Sequence, residues 1–332
     1  MKTFLGVDGG GTKTDFLLID ETGRVLASHQ GGPAYYPETG FDGLQTLLTE
    51  GIEATLKQGG LSLDQLEFAF IGLPAYGEDS GILPRLDCIV TDVLPQKRFR
   101  CGNDMVCSWA GALAGGDGIN IVAGTGSIAY GEYEMRRARA GGWGELFSDE
   151  GSAHWIAREG LTLFSRMSDG RAPRSALYGL IRERFHLQVD LDLCAVVYGP
   201  PPLTRSKLAA LAPLVARAAH AGDNSARQLF EQAAQHLASI VHAVRDQLDI
   251  PLGTPLPVSY SGGMFRMEDL LKPMLEAALG TGERRYHFVA PRLSPVAGAA
   301  LYAAKLAHTV LTEDAVAELA RVLGSSSSKD LE

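Results

Sequence analysis

Two glycine-rich bends, each set between short apolar runs, constrain this chain more than any other feature. The first lies in "VDGGGTKTDFLLID", residues 7–20, and the second in "VAGTGSIAYGEYE", residues 122–134. Asp8 aligns with Ala123, Gly9 with Gly124, Gly11 with Gly126 and Thr12 with Ser127, at a constant offset of 115 residues. Each segment reads as strand, Gly-x-Gly-Thr/Ser turn, strand. A chain that repeats such a unit is expected to fold as two related halves, each opening on a hairpin.

The rest of the pattern is mixed α/β. Residues 3–8 and 14–20 and the run "RVLASHQ" predict an antiparallel meander. Across 41–57, Leu44, Leu47, Leu48, Ile52 and Leu56 recur at helical spacing, and Gly59-Gly60 closes that helix. "EFAFIGLP" reads as a strand, 83–94 contains a short helix, and "RFRCGND" is a strand that delivers Asn103 and Asp104 to a helix starting in "DMVCSWAGALAG". Strands follow at 118–124 and 128–134, then a mostly helical stretch to about residue 248 with a long helix over 223–248. "PLPVSYSGG" and "HFVAP" read as late strands and 295–307 as a helix of small residues; the polar tail 324–332 is expected to be disordered.

Composition excludes several classes. The formal net charge of −9 over 332 residues argues against a nucleic-acid partner, which favours a basic face. No run approaches the roughly 18 apolar residues of a membrane span, and the N-terminus does not read as a signal peptide, so a cytoplasmic location is expected. Cys88, Cys101, Cys107 and Cys194 form no C-x-x-C pair. They are expected to be reduced, mostly buried thiols without cluster or zinc spacing.

The glycine bends match neither common nucleotide motif. Thr12 separates Gly11 from Lys13, which breaks the P-loop pattern, and Thr14 followed by a strand breaks the dinucleotide fingerprint. Glycines in a hairpin still let backbone N–H groups approach an anion and permit positive φ. Gly9, Gly10, Gly11, Thr12 and Lys13 are therefore candidates for phosphate contact, and Gly124, Thr125, Gly126 and Ser127 are their counterparts. Phosphates arrive with Mg²⁺, which takes carboxylate and water oxygens, and Asp8 suits that ion, through water. Asp104 at a strand–helix junction suits either an N-cap or a catalytic carboxylate.

Taken together, "DGGGTKTD", "AGTGS", "YSGGMF" (260–265) and "GGWGELFSDEGSAHWIA" (141–157) resemble the motifs of the actin/Hsp70/hexokinase-like sugar kinases. More narrowly, they resemble the N-acetylglucosamine kinase branch, related to the BadF/BadG-type ATPases. The resemblance implies an α/β fold of two ribonuclease H-like domains with an interdomain cleft. It implies ATP and Mg²⁺ as cofactors, and phosphorylation of N-acetylglucosamine or glucosamine at the C6 hydroxyl. It casts Asp104 as general base and sugar contact, Gly262 and Gly263 as the adenosine motif, and Thr125, Gly142, Trp143, Asp149 and Ala153 as sugar-site residues.

The domains are expected at 1–107 and 108–310, with the helix 311–323 open to joining the first. The chain departs from the branch at Ile128, where asparagine is usual, at Tyr35–Tyr36, and at Pro74. The acceptor thus stays open to another hexose. The alternatives are a regulatory or activator ATPase of the same fold. A regulator would carry a helix-turn-helix ahead of a first strand that here begins at residue 3, and an activator would carry cluster cysteines. Expected partners are the small-molecule sugar and ATP; a homodimer is compatible with the sequence.

Overall fold

A computed structural model describes residues 1–96 and 98–327. The elements run, in chain order, β1 (Thr3–Gly9), β2 (Thr14–Asp20), β3 (Val25–Gly31), α1 (Tyr36–Gln58), β4 (Phe68–Leu73), α2 (Leu83–Val93), β5 (Phe99–Asn103) and α3 (Asp104–Ala112). Then come β6 (Gly118–Ala123), β7 (Ser127–Tyr133), β8 (Arg136–Gly141), α4 (Ala153–Ser168), α5 (Ala176–Phe185), α6 (Asp192–Tyr198), α7 (Arg205–Ala209), α8 (Ala212–His220) and α9 (Asn224–Gln247). The chain ends with β9 (Leu256–Ser261), α10 (Glu268–Leu279), β10 (Tyr286–Phe288), α11 (Pro295–Leu306) and α12 (Glu313–Ser327).

The chain forms two compact units. One comprises Met1–Asp117 with the segment from Ala290 onward, and the other Gly118–Val289. The first holds a sheet of order β3-β2-β1-β4-β5, the second a sheet of order β10-β9-β6-β7-β8. In each, the first three strands are antiparallel and the last two run parallel to the first. The two sheets therefore share one topology, and their opening strands, at Thr3 and Gly118, are 115 residues apart. The expected duplication is real at the level of strand order.

In the first unit the sheet is covered on both faces. Leu44, Leu48, Ile52 and Leu56 of α1 pack with Leu5, Val7, Phe16 and Leu18 on one side. Gly51 admits Phe16 there, since a Cβ at Gly51 would stand 2.2 Å from the phenyl ring. On the other side lies α11, buried along Ala297–Ala304. Its small residues are required: a Cβ on Gly6 would stand 2.2 Å from Ala300 N, and one on Gly298 would stand 2.1 Å from Gly111 N of α3. In the second unit α9 contributes Phe230, Leu237, Val241 and Val244 to a core shared with Ile119, Ile121 and Val258.

Several boundaries differ from expectation, each for a local reason. Residue 107 falls inside α3, and α3 stays with the first unit because α11 packs on it backbone to backbone. For the same reason the first unit reclaims the chain from 290 rather than from 311. Helix α1 begins at Tyr36, earlier than expected, with Pro37 in its first turn and a kink at Gly40 (φ 73). Strand β8 lies in a stretch to which the sequence reading assigned no element. Helix α12 continues through Ser327, into the segment expected to be disordered, and residues 328–332 lie outside the described ones.

All four cysteines are free, yet only Cys107 is buried; Cys88 and Cys194 are exposed and Cys101 is intermediate. Among the described residues no helix is long and apolar enough to cross a membrane. The close α3–α11 contact gives a direct test. Gly298→Ala is expected to cost about 1–3 kcal/mol or more, because the added methyl meets backbone that cannot step aside. A urea melt of the full chain measures it, and an unchanged midpoint would contradict the packing described.

Candidate functional site

The parallel strands of each sheet end at one edge, and both glycine turns sit there. In the first unit, Asp8 near the end of β1 is paired in register with Gly72 of β4, and Gly72 with Gly102 of β5. Crevices at the carboxyl ends of parallel strands are the usual ligand sites of open α/β sheets. In the second unit, Val122 of β6 is paired with Ser261 of β9, so Gly124 and Gly262 follow at the same edge.

The first hairpin is tight. Gly10 N–H donates to Lys13 O at 2.9 Å, and Ala34 N–H donates to Gly10 O at 2.9 Å. None of Gly9, Gly10 and Gly11 has positive φ, contrary to one expected use of glycine here. Close approach explains two of them: a Cβ on Gly9 would stand 2.7 Å from Gly72 O, and one on Gly10 2.9 Å from Lys13 O. Gly11 and Thr12 are exposed. Lys13 turns to Asp15, 2.8 Å from Oδ2, and its charge also acts on Asp8.

At the β5–α3 junction the N-cap is Asn103, not Asp104. Asn103 Oδ1 accepts from Met105 N at 3.1 Å, and its Nδ2 donates to Tyr76 O at 3.3 Å. Asp104 is thus the first helical residue, half-buried, and its carboxyl still accepts from the Met105 N–H and its own N–H, which partly oppose the effect of burial. Desolvation, with Glu78 adding to it, pushes its carboxyl from 3.8 up to about 6. Asp8 is pushed from 3.8 up to about 8, first by burial and then by the charges of Asp104 and Asp15.

Cys107 Sγ donates to Val7 O at 3.6 Å, and its thiol, beside Asp8, partly offsets those effects. Burial pushes that thiol well up, so it stays a donor rather than a thiolate. Gly72 makes this cluster possible: a Cβ there would stand 2.2 Å from Cys107 Sγ and 3.4 Å from Asp104 Cα. Sequence reading missed Gly72 and Cys107. The glycine closing an apolar strand in "EFAFIGLP" was the available signal.

The second turn rests on the start of α4. Ala153 N–H donates to Gly124 O at 2.9 Å and His154 N–H to Thr125 O at 3.4 Å. Gly124 N–H donates to Gly126 O at 2.9 Å, and Ser127 Oγ donates to Glu150 O at 2.7 Å. Gly262 (φ 99) lies against the same turn; a Cβ there would stand 2.5 Å from Ala123 O. The second glycine turn and the Gly262–Gly263 segment expected to meet adenosine are therefore neighbours within one unit. Gly142 (φ 69) packs on Ile128, while Trp143 is exposed. Asp149 is buried, its carboxylate held by Ser127 N–H and Arg205.

Two units of one ribonuclease H-like topology, each with a glycine turn at the carboxyl edge of its sheet, define the actin-like ATPase class of α/β proteins. Within it, the chain belongs to the BadF/BadG/BcrA/BcrD ATPase family, whose model matches residues 5–303. It is 27% identical over 310 residues to an N-acetyl-D-glucosamine kinase of Dictyostelium discoideum, covering 90% of this chain and 97% of that one. It is 29% identical over 253 residues to an N-acetylmuramic acid/N-acetylglucosamine kinase of Clostridium acetobutylicum, covering 75% of this chain and 81% of that one. A solved structure from Chromobacterium violaceum, provisionally named an N-acetylglucosamine kinase, superposes with a TM-score of 0.65 at 27% identity. That match covers 91% of this chain and 99% of the other.

Asp8 also sets a pH signature for stability. The fold holds its proton up to about 8, against 3.8 for the ordinary carboxyl. Its contribution is complete below the lower value and is lost as pH rises through the upper one. Asp8→Asn, which cannot ionise, is therefore expected to melt above wild type at pH 8, with the gap closing towards pH 4. Melting both proteins without ligand across that range measures it; a gap independent of pH would mean that Asp8 is not held neutral.

Proposed function

We propose that this protein is an ATP-dependent kinase that phosphorylates N-acetylglucosamine or glucosamine at the C6 hydroxyl, with Asp104 as general base. The single observation that carries the reading is at the β5–α3 junction. Asn103 takes the cap, so Asp104 is left as a half-buried carboxylate whose affinity for protons is raised towards neutrality. A base with that property accepts a hydroxyl proton efficiently near working pH. Phosphoryl transfer otherwise asks for positioning and charge neutralisation. The names of the relatives point to the same acceptor class.

In this reading the 9–13 hairpin and the 124–127 turn bind the phosphates. Gly124 and Ser127 N–H groups are already bonded, so Thr125 and Gly126 serve as donors in the second turn. Gly262 and Gly263 approach the adenosine. Loop 142–150 and Ala153 bind the sugar. Asp149 acts there with its carboxylate shared by Arg205, so its role includes holding the loop as well as meeting hydroxyls. Mg²⁺ fits Asp8: among the described residues no group of three ligating side chains exists, and this ion needs only one or two carboxylates beside phosphate and water. Bound with ATP, it would be held by Asp8 through water and would neutralise phosphate charge.

Three measurements test the proposal. ADP release is followed with ATP, Mg²⁺ and a panel of glucosamine, N-acetylglucosamine, N-acetylmannosamine, N-acetylmuramate and glucose. Turnover is expected with an amino sugar; ATP binding with no turnover on any sugar would favour a regulatory or activator ATPase instead. Asp104→Ala is expected to lower kcat by about 10²–10⁴ with ATP binding kept. Because the base must be ionised and its carboxyl is held at about 6, kcat/KM of the wild type should fall as pH drops below 6 and level off above it. Near wild-type turnover in Asp104→Ala would remove the assignment.

A further inference from the structure

Loop 142–150 joins β8 to the α4 region without regular structure, yet one end of it is firmly fixed. Asp149 has a left-handed backbone (φ 62) and is 2% exposed. A non-glycine residue stays in that region where its surroundings over-determine it, and a buried carboxylate stays buried where it is paired. Groups outside the loop satisfy both conditions. Ser127 N–H donates to Asp149 Oδ1 at 3.3 Å, and Arg205 Nη2 lies 2.5 Å from Asp149 Oδ2. Nε of the same guanidinium lies 3.3 Å from Glu145 Oε2. One side chain from α7 so grips two carboxylates of one loop. It also lies against the second glycine turn, where a Cβ on Gly126 would stand 2.5 Å from Nη2.

We propose that Arg205 is a positioning residue for the acceptor: it clamps loop 142–150 onto the 124–127 turn and so couples the sugar loop to the phosphate turn. The inference rests on the kinase reading above. Arginine suits the task because its planar fork meets two carboxylates at once, which a lysine point charge cannot reproduce. The two arms are unequal. Glu145 and Arg205 are both part-exposed, at 36% and 40%, so that pair is screened and contributes little by itself. Asp149 is 3% exposed on its side chain, so the second arm governs. Without Arg205 a buried carboxylate loses its cation, and the readiest relief is for Asp149 to rotate towards water and lift the loop from the turn. Gly126 is then explained: its missing side chain is the space the guanidinium occupies.

Hydrogen exchange on the full chain tests the clamp independently of catalysis. Amides of 142–150 are expected to exchange at least about tenfold faster in Arg205→Ala, equivalent to roughly 1.4 kcal/mol, while those of α9 keep wild-type rates. In steady state the same variant should raise the sugar KM by about tenfold and change kcat and the ATP KM far less. Arg205→Lys should fall between. Wild-type exchange in the loop of Arg205→Ala overturns the proposal, whether or not any sugar is turned over. Should Arg205→Ala also lose α9 protection, Arg205→Lys decides: an intermediate loop rate supports the clamp, and a wild-type rate overturns it. Absence of sugar turnover in the wild type would remove the kinase reading alone and leave the exchange test standing.

Discussion

The backbone contact among β1, α3 and α11 is the constraint on which the first unit depends. Gly6, Gly111 and Gly298 let three main chains meet at distances that no side chain would allow. That contact fixes the axis of α3, and with it the place of its first turn. Asp104 opens that turn and Cys107 lies one turn further on, against Asp8 and Gly72. A shift of α3 by the width of one methyl group would carry Asp104 and Cys107 away from Asp8 at the strand edge. Packing thus sets the chemistry here: the helix is made of small residues because its position, rather than its buried area, is what the site needs.

Holding two acids at such an edge opposes stability. Both carboxyls are pushed up, Asp8 to about 8 and Asp104 to about 6. An arrangement that favours the protonated form in the free protein is one that gains from an arriving cation. Lys13 supplies only part of that charge: it opposes the rise at Asp8 less than burial and the neighbouring acids cause it. The first unit is therefore poised for a ligand that brings positive charge to Asp8, while Asp104, with the smaller shift, is the acid nearer to ionisation at neutral pH. The different environments of the pair thus separate their affinities for protons.

Much of this was legible in the sequence, for identifiable reasons. The opening hairpin of each sheet followed from the repeated bend, but the third strand of the second sheet, β8, did not. The long helix α9 followed from periodicity, and the small-residue helix α11 from composition. What could not be read depended on partners far apart in the chain. Arg205 lies 56 residues from Asp149 and belongs to no motif. Gly72 has meaning only once α3 is seen against β4. The boundary at residue 107 failed because a helix was assigned by its neighbours in sequence, whereas α11, nearly two hundred residues later, decides where it belongs. Asp104 could be read as either cap or catalytic carboxylate, and backbone geometry gives the cap to Asn103 instead.

The duplication also explains why the candidate site residues divide as they do. Both units keep the strand order and the glycine turn, which are backbone properties. Only the first keeps a carboxylate at the end of its opening strand; at the aligned place in the second stands Ala123, fully buried. The second unit instead carries a loop after its third strand that the first lacks, for β3 passes to α1 within a few residues while β8 leads into 142–150. That loop is tied down by Arg205 through an acid of its own. The shared fold therefore provides two edges of the same topology, and the residues that diverge after duplication place two acids at one edge and a clamped loop at the other.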